Sequence, residues 1–137
     1  MSSTGLGIDT TFDDTSVSVL RGKREILANL TLSQYKEHEE FGGVVPERAS
    51  RKHLEVINLL IDDAMKKADI DFIGIDYIAV SNYPGLLGSL LVGLSVAKSL
   101  AYSLGCPIIG INHVEAHPYA NVLDHGEMKF PILHLVV

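Results

Sequence analysis

Alternating polar and apolar residues and short apolar runs predict three β-strands at the start of the chain. Residues 5–9 form an apolar run typical of a buried strand, and residues 15–20 alternate between polar and apolar side chains. A basic turn at 21–24 precedes a third strand-like segment at 26–32. Because a short turn joins strands that run in opposite directions, we predict an antiparallel meander.

Helical periodicity follows this strand pattern. Between residues 47 and 68, apolar side chains recur at helical spacing at Leu54, Ile57, Ile61, Ala64 and Ala68. Pro46 and Glu47 suit the first turn of this helix, because proline needs no hydrogen-bond donor there and glutamate complements the helix dipole. The preceding segment, which contains Gly42 and Gly43, is predicted to be a loop.

Strands and helices alternate in the remaining sequence. The pattern predicts strands at 77–81, 107–111 and 132–137, and helices at 85–104 and 113–123. The predicted order is β-β-β-α-β-α-β-α, ending on a strand. Strands separated by helices favour parallel pairing, so we predict a mixed sheet with helices on its faces. This α/β architecture is that of a ribonuclease H-like or actin-like ATPase (ASKHA) lobe, and we expect residues 1–137 to form a single such lobe.

Composition and charge narrow the possible functions. The 137 residues are 47% hydrophobic and 20% charged, which is typical of a globular domain. No uninterrupted apolar run reaches the length of about 18 residues that crosses a bilayer, and a signal peptide is not recognisable. With a lone cysteine, Cys106, we expect a cytoplasmic protein without an internal disulfide or a membrane partner.

The net charge of −6 argues against a protein that binds nucleic acid on its own, because phosphate contacts require a basic surface. One local basic cluster, at residues 47–53, lies in the predicted first long helix. Such a run is most often a solvated helix face, but it is the part of this acidic chain best suited to an RNA phosphate.

Two histidines at the start of a predicted helix are candidate metal ligands. His113 and His117 are four residues apart, which places both imidazoles on one helix face. Glu115 is turned roughly 200° from His113, given about 3.6 residues per turn, so it cannot act as the general base of a zinc protease helix. The alternative is that both histidines are capping or surface residues. A catalytic metal also needs a third protein ligand from elsewhere.

The segment between the first two strands gathers carboxylates and hydroxyls. Asp9, Asp13 and Asp14 are interspersed with threonines at the end of a strand, where ligands bind in open α/β sheets. These residues suit a metal or water more than a bare phosphate. The alternative is a structural turn rich in Asp and Thr.

A stripe of small residues marks the second long helix. Ser89, Gly93 and Ala97 recur every four residues and leave one face nearly bare. That face is expected either to pack on the sheet or to dock a partner, including a second copy. The preceding loop at 84–89 contains glycines, but it lacks the lysine of a P-loop, so a phosphate role is weakly supported.

Four segments together resemble one family. Residues 7–15 resemble its opening G-I-E-T-S-C-D-E-T, and residues 38–53 are similar to its H-x-x-F/Y-G-G-V-V-P-E-x-A-S-R-x-H. Residues 84–93 resemble its P-G-L-x-G-x-L-L-V-G, and residues 112–117 match its H/N-H-x-E-x-H. On these motifs the chain resembles the N-terminal lobe of the bacterial TsaD family of tRNA threonylcarbamoyladenosine synthases.

The resemblance implies a two-lobed ASKHA enzyme that transfers threonylcarbamoyl from its adenylate to N6 of the adenosine beside the anticodon. It implies an iron or zinc ion held by His113 and His117 and by an aspartate of a second lobe that is missing here. Asp13 and Asp14 would lie near nucleotide and metal, and Val136 and Val137 would lead into the loop that binds the adenylate substrate. TsaB-like and TsaE-like subunits, and tRNA held through the complex, are the implied partners.

Two departures and two alternative functions accompany this resemblance. Phe12 replaces the family's cysteine, and Asn82 and Tyr83 stand where small residues are usual. Since the second lobe is absent, we expect weak metal binding and no transferase activity from these residues alone. The alternatives are a non-catalytic TsaB-like dimerisation scaffold and a metal-dependent glycoprotein endopeptidase; the position of Glu115 argues against the latter.

Overall fold

The computed structural model describes residues 2–136, and its first elements are the three predicted strands. They are β1 (Thr4–Asp9), β2 (Asp14–Arg21) and β3 (Glu25–Ser33). Both pairs are antiparallel, and the pairing of β2 with β3 shifts register after Val19. The predicted meander is confirmed.

Two helices follow the meander, and only one of them was predicted. The short helix α1 (Tyr35–Glu39) occupies part of the segment predicted as a loop, so that prediction is wrong. Buried polar contacts explain it: Nε2 of His38 lies 3.0 Å from Oε1 of Gln34, one helical turn earlier. The long helix α2 (Pro46–Ala68) is confirmed; it has proline in its first turn and ends at Asp69, whose backbone is left-handed.

The central strand β4 (Tyr77–Tyr83) joins the meander to the second half of the sheet. It pairs in parallel with β1 on one side and with β5 (Ile108–Asn112) on the other. The helix α3 (Leu87–Leu104) connects β4 to β5. The resulting strand order, β3-β2-β1-β4-β5, is the mixed sheet of the predicted ribonuclease H-like lobe, and the fold class is confirmed.

The predicted helix at 113–123 is interrupted. It consists of α4 (His113–Ala116), a 3-10 turn at His117–Tyr119 and α5 (Ala120–His125). Pro118 lies in the 3-10 turn. Because proline has no backbone N–H and its ring crowds the preceding turn, a regular helix does not continue through this position.

The predicted strand at 132–137 is wrong as far as the structure describes it. Residues 132–136 form no strand, and Val137 lies outside the described residues. Leu133 and Leu135 are exposed to solvent. The apolar composition of this segment indicated burial, but a strand also needs a neighbour for its hydrogen bonds, and residues 132–136 do not pair with β5.

Both α2 and α3 pack on one face of the sheet and enclose the core. The core side chains come from β1, β2, β4 and the inner faces of the two helices, and they include Leu6, Ile8, Val17, Val19, Ile57, Ile61, Ile78, Val80, Val92 and Ala97. Burial of such side chains stabilises the fold by roughly 1.5–3 kcal/mol for each large one. This core fixes the ends of β1 and β4 relative to each other, and β5 is aligned with them by its parallel pairing with β4.

The small-residue stripe of α3 belongs to this core. Ser89 and Ala97 are fully buried, and the backbone N–H of Gly93 donates to Oγ1 of Thr10 at 3.1 Å. A side chain at Gly93 would meet the same Oγ1 at 2.5 Å. The stripe therefore lets α3 approach β1 closely, and the predicted dimerisation face at Ser89, Gly93 and Ala97 is wrong because no partner can reach it in this fold.

By length and composition alone, α3 resembles a membrane-spanning helix. It is the one helix among the described residues that is long and apolar enough to span a bilayer. In this fold its Val92, Ala97 and Ala101 are buried in the core, while Lys98 faces solvent. These contacts are those of a helix that covers a sheet.

Candidate metal centre and catalytic cleft

The two histidines converge at the end of β5. Oδ1 of Asn112 accepts hydrogen bonds from the backbone N–H groups of Val114 (3.0 Å) and Glu115 (3.2 Å), which fixes the start of α4. His117 keeps helical backbone angles at the end of this turn. As a result Nε2 of His113 and Nε2 of His117 lie 3.1 Å apart.

This separation suits two ligands of one metal ion. Zinc binds imidazole nitrogens at about 2.0–2.1 Å in tetrahedral geometry, so two such nitrogens on one ion lie about 3.3 Å apart. The 3.1 Å between the Nε2 atoms is close to that value. No group of three His, Cys, Asp or Glu side chains among residues 2–136 is arranged to hold a metal ion. The described part of the chain therefore brings two candidate ligands together without a third beside them.

The partly buried carboxylate of Asp9 lies behind His113. Oδ2 of Asp9 lies 2.7 Å from Nδ1 of His113 and accepts a hydrogen bond from the Ser81 hydroxyl. Oδ1 of Asp9 accepts from both the backbone N–H and the hydroxyl of Thr11, each at 2.9 Å. Burial by itself raises the pKa of Asp9, but the hydrogen bonds from Ser81, Thr11 and His113 bring the net pKa below its ordinary value. Asp9 is therefore ionised at neutral pH.

The contact between Asp9 and His113 was not recognised from the sequence, which grouped Asp9 only with its neighbours in the turn. Asp9 ends β1, Ser81 lies near the end of β4, and His113 directly follows β5. Since β1, β4 and β5 are neighbouring parallel strands, their carboxyl ends meet at one edge of the sheet. The parallel order was the signal that could have placed these three residues together.

The predicted catalytic aspartates lie in the same cleft as the histidines. An open cleft of about 400 Å³ is lined by Asp9, Thr11, Phe12, Asp13, Asp14, Ser16, Thr31, His113 and His117. The structure thus brings together four of the residues singled out from the sequence: Asp13, Asp14, His113 and His117. The cleft combines carboxylates, hydroxyls and imidazoles, which suits a cation and a polar substrate.

Val136 is not among the residues that line this cleft. It is 44% exposed. Val137 lies outside the described residues. Their expected role next to the adenylate stays a prediction.

A fully buried histidine supports the aspartate-bearing turn from below. Nε2 of His53 lies 2.9 Å from the carbonyl oxygen of Phe12, and Nδ1 lies 2.7 Å from Oγ1 of Thr15. Because a carbonyl only accepts, Nε2 carries the proton, and in a neutral ring Nδ1 accepts from the threonine hydroxyl. Burial lowers the pKa of His53 and favours this neutral form. No local sequence pattern indicated this role for His53.

The glycine loop before α3 contacts the same turn. The backbone N–H of Leu86 donates to the carbonyl of Thr11 at 2.9 Å. A Cβ at Gly85 would lie 2.7 Å from that carbonyl oxygen. Glycine is therefore needed for close approach of two loops, and this contact accounts for the motif without a phosphate.

Two of the three Lys and Arg side chains in the basic cluster of α2 pair with acidic residues, and the third, Arg48, lies over the ring of Phe41. Nζ of Lys52 lies 3.2 Å from Glu37 and 3.6 Å from Glu55, and Arg51 is 2.7 Å from Glu47. The Glu37 carboxylate beside it raises the pKa of Lys52. These pairs describe a solvated, ion-paired helix face and do not favour it as a phosphate site.

Glu115 faces away from the histidine pair, as its sequence position predicts. It lines a separate surface depression with Gly110, Ile111, Asn112, Ala116 and Tyr119, and it is not among the residues of the histidine cleft. The arrangement of a zinc protease helix, with glutamate beside the metal, is not formed.

Comparison with protein families gives one match over most of the chain. Residues 25–137 match the family TsaD, tRNA N6-adenosine threonylcarbamoyltransferase. Curated proteins of that name are similar over 132 residues, at 50% identity in Clostridioides difficile and 51% in Geobacillus kaustophilus. The alignment with the first covers 96% of this chain but 39% of the relative. The chain thus spans about two fifths of the length of the curated relatives it matches.

Solved structures support the fold. YeaZ from Pseudomonas aeruginosa superposes with a TM-score of 0.66 at 20% identity, covering 90% of this chain and 50% of that protein. A second Pseudomonas aeruginosa structure, described as similar to peptidase YEAZ, gives the same score at 22% identity. At these identities the likeness concerns the fold alone.

Proposed function

Because this chain belongs to the TsaD family of tRNA N6-adenosine threonylcarbamoyltransferases, we propose that it supplies the metal-binding lobe for threonylcarbamoyladenosine synthesis. The observation that supports this proposal most strongly is the 3.1 Å separation of Nε2 in His113 and His117. Two imidazoles held at this distance beside a carboxylate-lined cleft suit an acyl-transfer centre better than a structural surface.

The proposed reaction moves a threonylcarbamoyl group from its adenylate to the N6 amine of the adenosine beside the anticodon. The bond between the carbamoyl carbon and the phosphate oxygen breaks, a carbon–nitrogen bond forms, and the amine loses a proton while AMP leaves. His113 and His117 would hold an iron or zinc ion through Nε2. When bound, such an ion polarises the oxygens of an acyl group.

The other cleft residues have separate proposed roles. Asp13 and Asp14 would orient the polar substrate, and either carboxylate suits the transient uptake of the amine proton. Val136 and Val137 would lead the chain toward the adenylate. The third metal ligand would come from residues outside 2–136.

Partner subunits would supply most of the surface that binds RNA. With a net charge of −6 and an ion-paired basic cluster, this surface is poorly suited to hold RNA by itself. We propose that TsaB-like and TsaE-like subunits share the cytoplasmic complex and that tRNA is bound across it. The non-catalytic scaffold is less well supported, because such a subunit lacks the histidine pair that is formed here. The alternative function of an endopeptidase would need a glutamate beside the metal as general base, but Glu115 lines a separate surface depression.

A chimeric enzyme tests this function directly. Residues 1–137 would be joined to the remaining part of the Clostridioides difficile relative, combined with TsaB and TsaE subunits, and assayed by mass spectrometry for threonylcarbamoyladenosine in tRNA. We expect transfer by the chimera and a loss of more than about 100-fold in His113→Ala and His117→Ala, since removal of a ligand should exceed the 10- to 100-fold cost of losing a second-layer contact. The exposed His125→Ala serves as the control.

Two results of this assay would contradict the proposal. Full transfer by the chimera that lacks both histidines would remove the metal role of the pair. Transfer by the 137-residue chain alone would show that a third metal ligand and an adenylate-binding loop from outside these residues are not required.

A further inference from the structure

We infer that Asp9 is the positioning residue of the metal centre: its carboxylate holds His113 as the tautomer protonated at Nδ1 and so leaves the Nε2 lone pair free for an ion. This inference rests on the proposed metal role of His113. All three aspartates line the cleft, but Asp9 is the one whose carboxylate lies within hydrogen-bond distance of His113, and this contact gives it a function different from that of Asp13 and Asp14.

The hydrogen bonds around Asp9 determine which ring nitrogen of His113 carries the proton. Oδ1 accepts from the Thr11 N–H and hydroxyl, and Oδ2 accepts from the Ser81 hydroxyl. Both oxygens therefore already act as acceptors, which leaves neither of them as the donor toward His113. The 2.7 Å contact between Oδ2 and Nδ1 of His113 therefore requires that Nδ1 carries the proton. Oγ1 of Thr11 also lies 3.4 Å from Nδ1, but its shorter bond is to Oδ1 of Asp9.

The geometry gives this bond a direct consequence at the metal position. With Nδ1 protonated, Nε2 is unprotonated, and this is the atom that lies 3.1 Å from Nε2 of His117. Metal-bound histidines usually donate their other ring N–H to a carboxylate or carbonyl, which fixes the ring and raises the basicity of the ligand. Among residues 2–136, Asp9 gives this support to His113.

Replacement of Asp9 by asparagine should reverse the tautomer. The Thr11 N–H and hydroxyl would keep the amide oxygen at the position of Oδ1, which places the amide NH₂ at the position of Oδ2. That NH₂ would donate to Nδ1 of His113, and the imidazole proton would move to Nε2, where it blocks the metal. Glutamate keeps the acceptor and should preserve the wild-type tautomer.

Two readouts on the full 137-residue chain test the assignment. The tautomer is read from long-range proton–nitrogen NMR correlations of the histidine rings without metal, and affinity is read by titration with cobalt(II) chloride. We expect Nδ1–H at His113 in the wild type and Asp9→Glu, but Nε2–H in Asp9→Asn, with cobalt affinity about 10- to 100-fold lower in Asp9→Asn. Asp76→Asn is the matched control, because Asp76 accepts the N–H of Thr4 at the opposite end of β1.

The outcomes separate the two proposals. An Nε2–H tautomer in the wild type, or unchanged tautomer and affinity in Asp9→Asn, overturns the role of Asp9 while leaving a metal at the histidines intact. Cobalt binding that is unchanged in His113→Ala overturns the metal role itself. If Asp9→Asn does not fold, the wild-type tautomer and its retention in Asp9→Glu decide the assignment.

Discussion

A single buried residue, His53, holds the turn that carries Asp13 and Asp14. His53 binds the Phe12 carbonyl and the Thr15 hydroxyl on either side of Asp13 and Asp14. Burial lowers the pKa of His53, although the Phe12 carbonyl and the nearby carboxylates act in the opposite direction. An unfolded histidine has a pKa of about 6.5. Because the unfolded state binds a proton more readily, stability should be complete above that pH and decline as the pH falls toward the lowered folded-state pKa.

The first prediction concerns this pH dependence. Between pH 7 and pH 5 the free energy of unfolding should fall in the wild type, and the fall should be smaller in His53→Gln, which has no titrating ring. Urea denaturation at both pH values measures it. His125→Gln, at an exposed histidine, should keep the wild-type pH dependence. Identical pH dependence in His53→Gln and the wild type would contradict the account.

At this scale the sequence predicted local pairs but not distant ones. The His113–His117 pair follows from four-residue spacing on a helix, and Asp13 and Asp14 follow from their position after a strand. The bonds of Asp9 to His113 and of His53 to Thr15 join residues 104 and 38 positions apart. They depend on strand order and helix packing, which local patterns do not specify.

At the scale of elements, close packing of α3 against the end of β1 is one of the contacts that position the helices on the sheet. Thr10 donates its hydroxyl to the Ser89 carbonyl at 2.7 Å and accepts the Gly93 N–H. Hydrophobic patterns predicted α2, α3 and five strands, and α2, α3, β1, β2 and β4 each contribute buried apolar side chains to the core. Patterns failed where another constraint decides: Pro118 interrupts the last helix, buried polar contacts form α1, and residues 132–136 are apolar but pair with no strand of the sheet.

The second prediction tests this packing. Gly93→Leu should lower the free energy of unfolding by about 1–3 kcal/mol or prevent folding, because overpacking displaces Thr10 and the adjoining turn. Ser95→Leu adds the same side chain to an exposed position of α3 and should change stability far less. Chemical denaturation compares the two variants. A Gly93→Leu chain as stable as the wild type would restore the small-residue stripe as a docking face.

At the scale of the whole molecule, the chain covers 39% of its Clostridioides difficile relative. Residues 2–136 bring two candidate metal ligands together, without a third beside them. Fold class, family and the histidine pair could be predicted from ordered motifs in the sequence. The extent of the cleft could not, since it depends on the parallel edge formed by β1, β4 and β5.

The most direct test of the account is X-ray absorption of the zinc-loaded 137-residue chain. We predict imidazole scattering from two nitrogen ligands at about 2.0–2.1 Å, with the remaining positions filled by oxygen. Replacement of both His113 and His117 by alanine should abolish that imidazole signal. A spectrum without two imidazoles, or one that the double replacement leaves unchanged, would contradict the assignment of these two residues to a common ion.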